Sequence, residues 1–530
     1  MSAYKYDIEL KKINNKLSQY QPFSVLLKSV EYLNKSHNLN HPTKGFPWIV
    51  MLIIKLSMLN GNRLGKEMSL SEFEGIANRL WRIQHLASDI NGGDLLIRMR
   101  PMIIQQTWYQ GDILENLIPI ARQFNIYTNG DEFYNNKFKE LYGFSLRSFY
   151  LISIYLLLQV SLSGKGVLKL SISSMILFLC PKIPLKDLMS YFVLVGVRVY
   201  DFPDFFKIHK LKGDKNQQSE YFQPTPLRFK PLVIANDSVF IINRHVFSSG
   251  VASIVTDLLK KNFKEEFKVR FGPDMENYVG DLISASGLNF YRESELKKIY
   301  AKNSLRGKVS DYLLLGDDKI LLECKAIEPG DIVKSSFDSE LIRRILTKSF
   351  IHAIEQGQET AFLLSETREL KGEKFKLIVV THEDFWFATG ADVVNHVDPK
   401  IRERVVSKYG YVPIEFEDII YITVRALEAL LELHCENDVD FFDCISKCLD
   451  LLKTPKGKRQ TSFHAFIEIT GGKFPGGKSI IKELENLQLE INEMYEENKK
   501  YWQADPLSIV KAEYSLMNST NKRLAGIKFN

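Results

Sequence analysis

Asp311, Glu323 and Lys325 are the residues whose types and spacing allow chemistry to be shared. They fall in VSDYLLLGDDKILLECKA, residues 309–326, which reads as two short antiparallel strands joined by a tight turn at Gly316, Asp317 and Asp318. Apolar residues run almost unbroken on both sides of the turn, the pattern of strands buried on both faces. The period of two points Glu323 and Lys325 at the same face. If the turn has three residues, Leu315 pairs with Lys319, and the same register sets Asp311 opposite Glu323, roughly 4.5–5.5 Å away at Cβ. Carboxylates that close can share a cation, and oxygen ligands completed by water suit Mg²⁺ or Mn²⁺. Such a cation would compensate charges that are costly to bury in apolar strands. The plainer alternative is that Lys325 only pairs with Glu323 at a sheet edge.

An acidic residue, an apolar hairpin and then Glu323-Cys324-Lys325 resembles the PD-(D/E)XK nuclease superfamily over about residues 255–390. Ser310 stands where the family pattern has proline, a position that is not a ligand. Family members usually add a glutamate from the helix before the hairpin, and GPDMENYVGDLISASG, residues 272–287, supplies Glu276 on an amphipathic pattern with Met275, Val279, Leu282 and Ile283. A glutamine on the following helix is another frequent member, and HAIEQGQE offers Gln356 first and Gln358 second. The resemblance implies an α/β restriction-endonuclease-like core, a mixed sheet flanked by helices, with mainly α-helical N-terminal and C-terminal regions. It implies Asp311, Glu323 and Glu276 as metal ligands. Lys325 would orient a water or neutralise developing charge, and Gln356 would position the nucleophile or Lys325.

The function that follows is a Mg²⁺- or Mn²⁺-dependent nuclease, foremost a DNA endonuclease, with restriction or anti-phage defence as its setting. The alternative is a nucleic-acid-binding or assembly protein that keeps a silent nuclease fold. A phosphate backbone approaching carboxylates needs cations beside them. Lys297, Lys298, Lys302, Arg306 and Lys308 lead into Asp311 and are the candidate nucleic-acid contacts. Runs of this kind otherwise serve as solvated faces.

The elements that must position these residues sit in a chain of 530 residues with ordinary globular composition, 45% hydrophobic and 25% charged. That length suggests two to four domains. A formal charge of +6 permits a polyanionic partner without demanding one. Cys180, Cys324, Cys435, Cys444 and Cys448 are too few and too irregular for a disulfide framework, so a reduced, cytoplasmic chain is expected. No N-terminal signal peptide is evident, and the most apolar runs, residues 149–162 and 175–180, fall short of the roughly 18 residues of a membrane span. No membrane partner is expected.

Four regions are expected: a helical domain over residues 1–209, a polar linker over 210–226, the nuclease-like domain over 227–400 and a helical region over 401–530. The helices at residues 47–61 and 147–160 follow from apolar residues three and four apart, and Ser69 with Glu72 forms a capping-box start. Trp81 and Trp108 could stack on bases, but their helical spacing favours core packing. Residues 227–247 read as two strands about an Ala-Asn-Asp turn, TAFLLSE and FKLIVVTHEDFWFATG as further strands, and residues 414–434 as helix. The long amphipathic helix beginning near Lys478 could pack on the body or on a second copy, making a homo-oligomer or protein partner possible.

Two further motifs compete. Gly472 to Ser479, GKFPGGKS, has P-loop spacing, but the remaining 50 or so residues offer no strand with an Asp for Mg²⁺. The plainer reading is a Gly-rich turn into a helix N-terminus, still able to hold a phosphate. His434, Cys435, Cys444 and Cys448 match no common zinc spacing, and Cys444 and Cys448 read as small buried hydrophobes.

Overall fold

The computed structural model describes residues 2–37, 45–110, 117–128, 132–164, 166–210, 217–326, 330–459, 469–472 and 477–527. Backbone contacts divide the chain into two units, the first Met1–Gly92, Met102–Lys264 and Ile480–Asn530, the second Gly93–Pro101 and Glu265–Ser479. Both are mixed α/β, with helices around a small sheet.

In the first unit helices surround a four-stranded sheet. Its strands are β1 (Leu168–Ser171), β2 (Gly196–Arg198), β3 (Leu232–Ala235) and β4 (Ser238–Ile241), in the order β1-β4-β3-β2. The β3–β4 hairpin turns at Asn236, in the left-handed region at φ 52°, a conformation Asn tolerates better than most residues. This hairpin is the one expected at residues 227–247, but it belongs elsewhere. It pairs with β1 and β2, so sheet hydrogen bonding assigns it to the first unit and not to a nuclease-like domain starting at 227. The division falls instead within the helix Arg244–Ala285, beside the non-helical Phe263. Nor is the expected linker free of structure, because Gln218–Phe222 is helical with Tyr221 and Phe222 buried. Residues 211–216 of that linker lie outside the described residues.

The Ser69 capping box forms as expected. One described helix, Leu146–Ser163, is long and apolar enough by length and composition to cross a membrane, longer than the run read from sequence, and 67% of it is buried. Ser145 starts it by accepting the Ser148 N–H, which adds a turn ahead of the apolar run. The C-terminal helices Lys478–Ala504 and Leu507–Ala525 also belong largely to the first unit. There Tyr495 stacks on Phe178 at 4.7 Å and the Trp502 indole donates to the Cys180 carbonyl at 2.6 Å.

The second unit is built on a five-stranded sheet, β5 (Phe290–Arg292), β6 (Tyr312–Leu315), β7 (Lys319–Lys325), β8 (Phe375–Thr381) and β9 (Ile419–Thr423), paired in that order. β5, β6 and β7 are antiparallel neighbours, while β7, β8 and β9 run parallel. Alternate residues serve two cores, as the period of two requires. Leu313, Leu321, Leu377, Val379 and Tyr421 face the helices Ser339–Leu346, His352–Ser365 and Lys400–Tyr409. Leu314, Ile320, Leu322, Ile378 and Ile422 face Met275, Val279 and Ile283 together with the helices Val424–Cys435 and Phe441–Lys453. The result is a three-layer sandwich whose central strands are buried on both faces through their middle residues.

Two sequence readings fail here for one reason. TAFLLSE lies in the helix His352–Ser365 and not in a strand, while residues 419–423, read as helix, form β9. Neither run carries a breaker at its junction, and buried apolar segments of that length lack a distinguishing period. The Thr423 hydroxyl, which accepts the Ala426 N–H, is the N-cap at which β9 gives way to helix.

Candidate active site

The β6–β7 hairpin has the expected register, with Leu315 opposite Lys319 and Tyr312 opposite Leu322. Gly316 lets the Phe442 ring of the helix Phe441–Lys453 pack against the turn, since a Cβ there would meet it at 2.5 Å. β6 begins only at Tyr312, so Asp311, expected within the strand, precedes it. Its carbonyl accepts the Glu293 N–H at 2.8 Å, tying it to the end of β5. Its carboxylate accepts the Cys324 N–H at 2.6 Å, so it reaches across to β7 beside Glu323.

Glu323 is fully buried. One carboxylate oxygen, Oε2, accepts the Lys325 ammonium at 2.7 Å, and the other, Oε1, receives no hydrogen bond. A buried charged oxygen without a partner is costly. Burial first, and then the Asp311 charge, push the Glu323 carboxyl up to about 8 against the opposing pull of Lys325 and Ser310. Burial also raises Asp311, opposed by the Cys324 N–H and Lys325 and reinforced by Glu293. Burial works against the Lys325 charge, yet the attraction of Glu323 and Asp311 outweighs it and holds the ammonium above its ordinary pKa.

Glu276 joins from the other core layer. Its helix packs on the sheet through Met275 and Val279, and the Tyr312 hydroxyl donates to the Glu276 backbone carbonyl at 2.8 Å. Burial, then Asp311 and Glu293, raise the Glu276 carboxyl to about 7, with Lys325 and Lys297 opposing. Asp311 thus acts on both Glu323 and Glu276, and the Lys325 ammonium acts on all three carboxylates. Among the described residues no group of three or more His, Cys, Asp or Glu is gathered as a preformed metal cage. Mg²⁺ does not require one, because it usually keeps several waters and takes one or two carboxylates. Asp311 and Glu323, with the unsatisfied Oε1, fit that requirement.

Other expected members lie elsewhere. Gln356 does not reach Lys325; its amide donates to the Val309 carbonyl at 2.8 Å, fixing the backbone just ahead of Asp311. Gln358 is buried and bonds both ways to the Ile414 backbone, at 2.7 and 2.8 Å. The five basic candidates do not act as one run. Lys297 pairs with Glu293 at 2.7 Å and Lys302 with Glu369, while Lys298 and Arg306 are exposed. Lys308 alone turns to a nitrogen, His352 Nε2, at 3.0 Å. His352 went unread, although its place four residues before Gln356 sets both on one helix face. Glu293, whose charge acts on both Asp311 and Glu276, was also missed, since an acid at a helix start reads as a capping feature.

In the P-loop-like stretch, residues 473–476 lie outside the described residues. Lys478 is committed to Glu432, its ammonium at 3.2 Å from Oε1 and its N–H donating to Oε2 at 3.0 Å. Cys444 and Cys448 sit in the apolar layer over β6–β9, and His434 Nδ1 accepts the Phe441 N–H at 3.3 Å.

No protein-family model, curated protein or solved structure matches the chain.

Proposed function

We propose that the chain is a metal-dependent nuclease that hydrolyses phosphodiester bonds, with DNA cut internally as its first substrate, and that the second unit is a restriction-endonuclease-like core. The observation that carries this reading is Glu323, fully buried with one oxygen unpartnered, beside Asp311 and Glu276 and facing a single ammonium. Helix, hairpin, helix and strand follow one another around these residues in the order of the PD-(D/E)XK pattern, which supports the fold assignment.

Asp311 and Glu323 would hold Mg²⁺ or Mn²⁺, with Glu276 completing or orienting the shell. When bound, the metal would polarise the phosphate and lower the pKa of a water. Lys325, held at 2.7 Å from Glu323 Oε2, keeps ammonium protons to offer the charge that builds on the phosphoryl oxygens. The Cys324 N–H fixes Asp311, and Gln356 fixes the strand that delivers it. Restriction or defence against foreign DNA is the setting we infer from the family resemblance.

The test is cleavage of supercoiled plasmid, linear DNA and RNA by the full chain with Mg²⁺, Mn²⁺ or EDTA, beside Glu323→Ala and Lys325→Ala. The expected result is metal-dependent cutting, reduced at least about 100-fold in each variant. Salt-sensitive binding without cutting in any metal would replace this reading with the silent, nucleic-acid-binding one.

A further inference from the structure

The segment that delivers Asp311 carries a second feature that the carboxylates do not use. Residues 308–310 are laced down on the helices beside them. The Lys308 N–H donates to Glu359 Oε1 at 3.0 Å and the Tyr300 hydroxyl to the Lys308 carbonyl at 3.1 Å. Gln356 takes the Val309 carbonyl, and the Ser310 hydroxyl donates to Thr360 Oγ1 at 3.2 Å. Held this way, the exposed Lys308 ammonium lies 3.0 Å from His352 Nε2.

An ammonium can only donate, so Nε2 must accept and the imidazole must be neutral, with its proton on Nδ1. Burial, Lys308 and Lys325 all lower the His352 pKa against the opposing pull of Glu355, which agrees with a neutral ring. The neighbouring carboxylates hold other cations, although Glu359 also feels the Lys308 charge. Glu359 takes the Lys408 ammonium at 2.7 Å and Glu355 takes Arg404 at 2.9 Å. Among the described residues no carboxylate makes an ion pair with Lys308. One positive charge, two remaining ammonium protons and an imidazole N–H therefore gather three residues ahead of Asp311, close enough for Lys325 to act on His352. That donor set is suited to the oxygens of an anion.

We propose that Lys308 and His352 form a phosphate clamp, holding a backbone phosphate of the nucleic acid beside the one attacked at Asp311 and Glu323. The assignment rests on the nuclease reading for its ligand. Lys308 supplies the charge, and His352 orients the ammonium and adds a neutral donor.

The test is binding of a short duplex DNA by the full chain in EDTA, followed by fluorescence anisotropy across a salt series. Lys308→Ala should weaken binding about tenfold or more and reduce the slope of log affinity against log salt by about one. Lys308→Arg should restore the slope. His352→Ala should weaken binding with little change in slope, because the ring carries no charge, and adding it to Lys308→Ala should cost less than the two separate losses combined. Lys447→Ala, whose exposed ammonium pairs with Asp443 at 2.7 Å, is the control and should change neither quantity. A Lys308→Ala slope equal to wild type, or equal to that of Lys447→Ala, overturns the clamp. Salt-dependent binding that responds to Lys308 in a chain that never cuts would retain the clamp and remove the nuclease. Cutting without any Lys308 effect would do the reverse, and a wild type that binds no DNA removes both.

Discussion

Each unit buries a Lys–Glu pair closed at 2.7 Å, Lys55–Glu220 in the first and Lys325–Glu323 in the second. Their side chains are similarly hidden, 5% and 11% exposed in one pair, 15% and 0% in the other. What differs is the company they keep. Lys55 and Glu220 lie beside Trp48, Trp108 and Tyr109, paired with each other. Around Lys325 there are Glu323, Asp311 and Glu276, and each carboxyl is raised by burial and by its acidic neighbours. A single ammonium closes the first account and leaves the second short of positive charge. Identical pair geometry therefore separates a structural ion pair from the site proposed to take a cation only when the surrounding charges are counted.

The largest effect that would sharpen this contrast is expected in the first unit. Lys55→Ala strands Glu220 in a buried position, and breaking a buried pair on one side costs about 3–5 kcal/mol. Urea unfolding should report a loss of that size, independent of Mg²⁺. A loss below about 1 kcal/mol would mean that Glu220 finds water or protonates without penalty, and the two pairs would no longer differ as argued.

In the second unit a cation should stabilise what an alanine destabilises in the first. Mg²⁺ or Mn²⁺ at a hundred times its dissociation constant should add about 2.7 kcal/mol to the folded state. That is read as a rise in unfolding temperature, absent in Glu323→Gln and retained in Lys55→Ala. A metal-induced rise that survives Glu323→Gln would place the cation elsewhere.

The third effect concerns pH without metal. The Glu323 carboxyl is near 8 when folded, against 4.5 ordinarily, so the folded state holds its proton more tightly than the unfolded chain does. Stability is then greatest below about 4.5 and falls as pH rises toward 8, by about 3 kcal/mol at pH 7 from this group alone. Glu276, raised to about 7, adds to the same fall over a narrower window. Glu323→Gln, neutral throughout, should flatten the curve and gain about 2 kcal/mol at pH 7 while abolishing cleavage. A wild-type curve in EDTA that rises between pH 5 and 8 would contradict the sign.

The hairpin register was legible in the sequence because an apolar strand pair with a short turn has few alternatives, and the same period set Glu323 and Lys325 on one face. The layer that carries Glu276 was legible from helical spacing at Met275, Val279 and Ile283. Unit membership was not legible. β3 and β4 are competent strands wherever they dock, and only their pairing with β1 and β2, distant in sequence, fixes their sheet. β9 was hidden because Ile419–Thr423 runs into Val424–Cys435 with nothing but the Thr423 cap to mark the change. His352 was hidden differently. A lone histidine on a helix acquires meaning only when Lys308, 44 positions earlier, arrives at 3.0 Å.

The smallest effect tests whether Gln356 supports the site or takes part in it. Its amide meets the carbonyl of Val309, which is 6% exposed, so Gln356→Leu leaves a buried acceptor unmet at a cost of about 1–2 kcal/mol. The strand entrance should then open more often, and amide hydrogen exchange at residues 309–311 should quicken while exchange in β8 stays unchanged. Because Asp311 depends on that entrance, cleavage should fall modestly, in step with the local opening, and recover as temperature is lowered. Were Gln356 instead to contact the nucleophile, kcat would drop about 100-fold at every temperature with exchange unaltered. The pairing with Val309 favours the first outcome, since an amide nitrogen held by a buried carbonyl is not free to follow a water through the reaction.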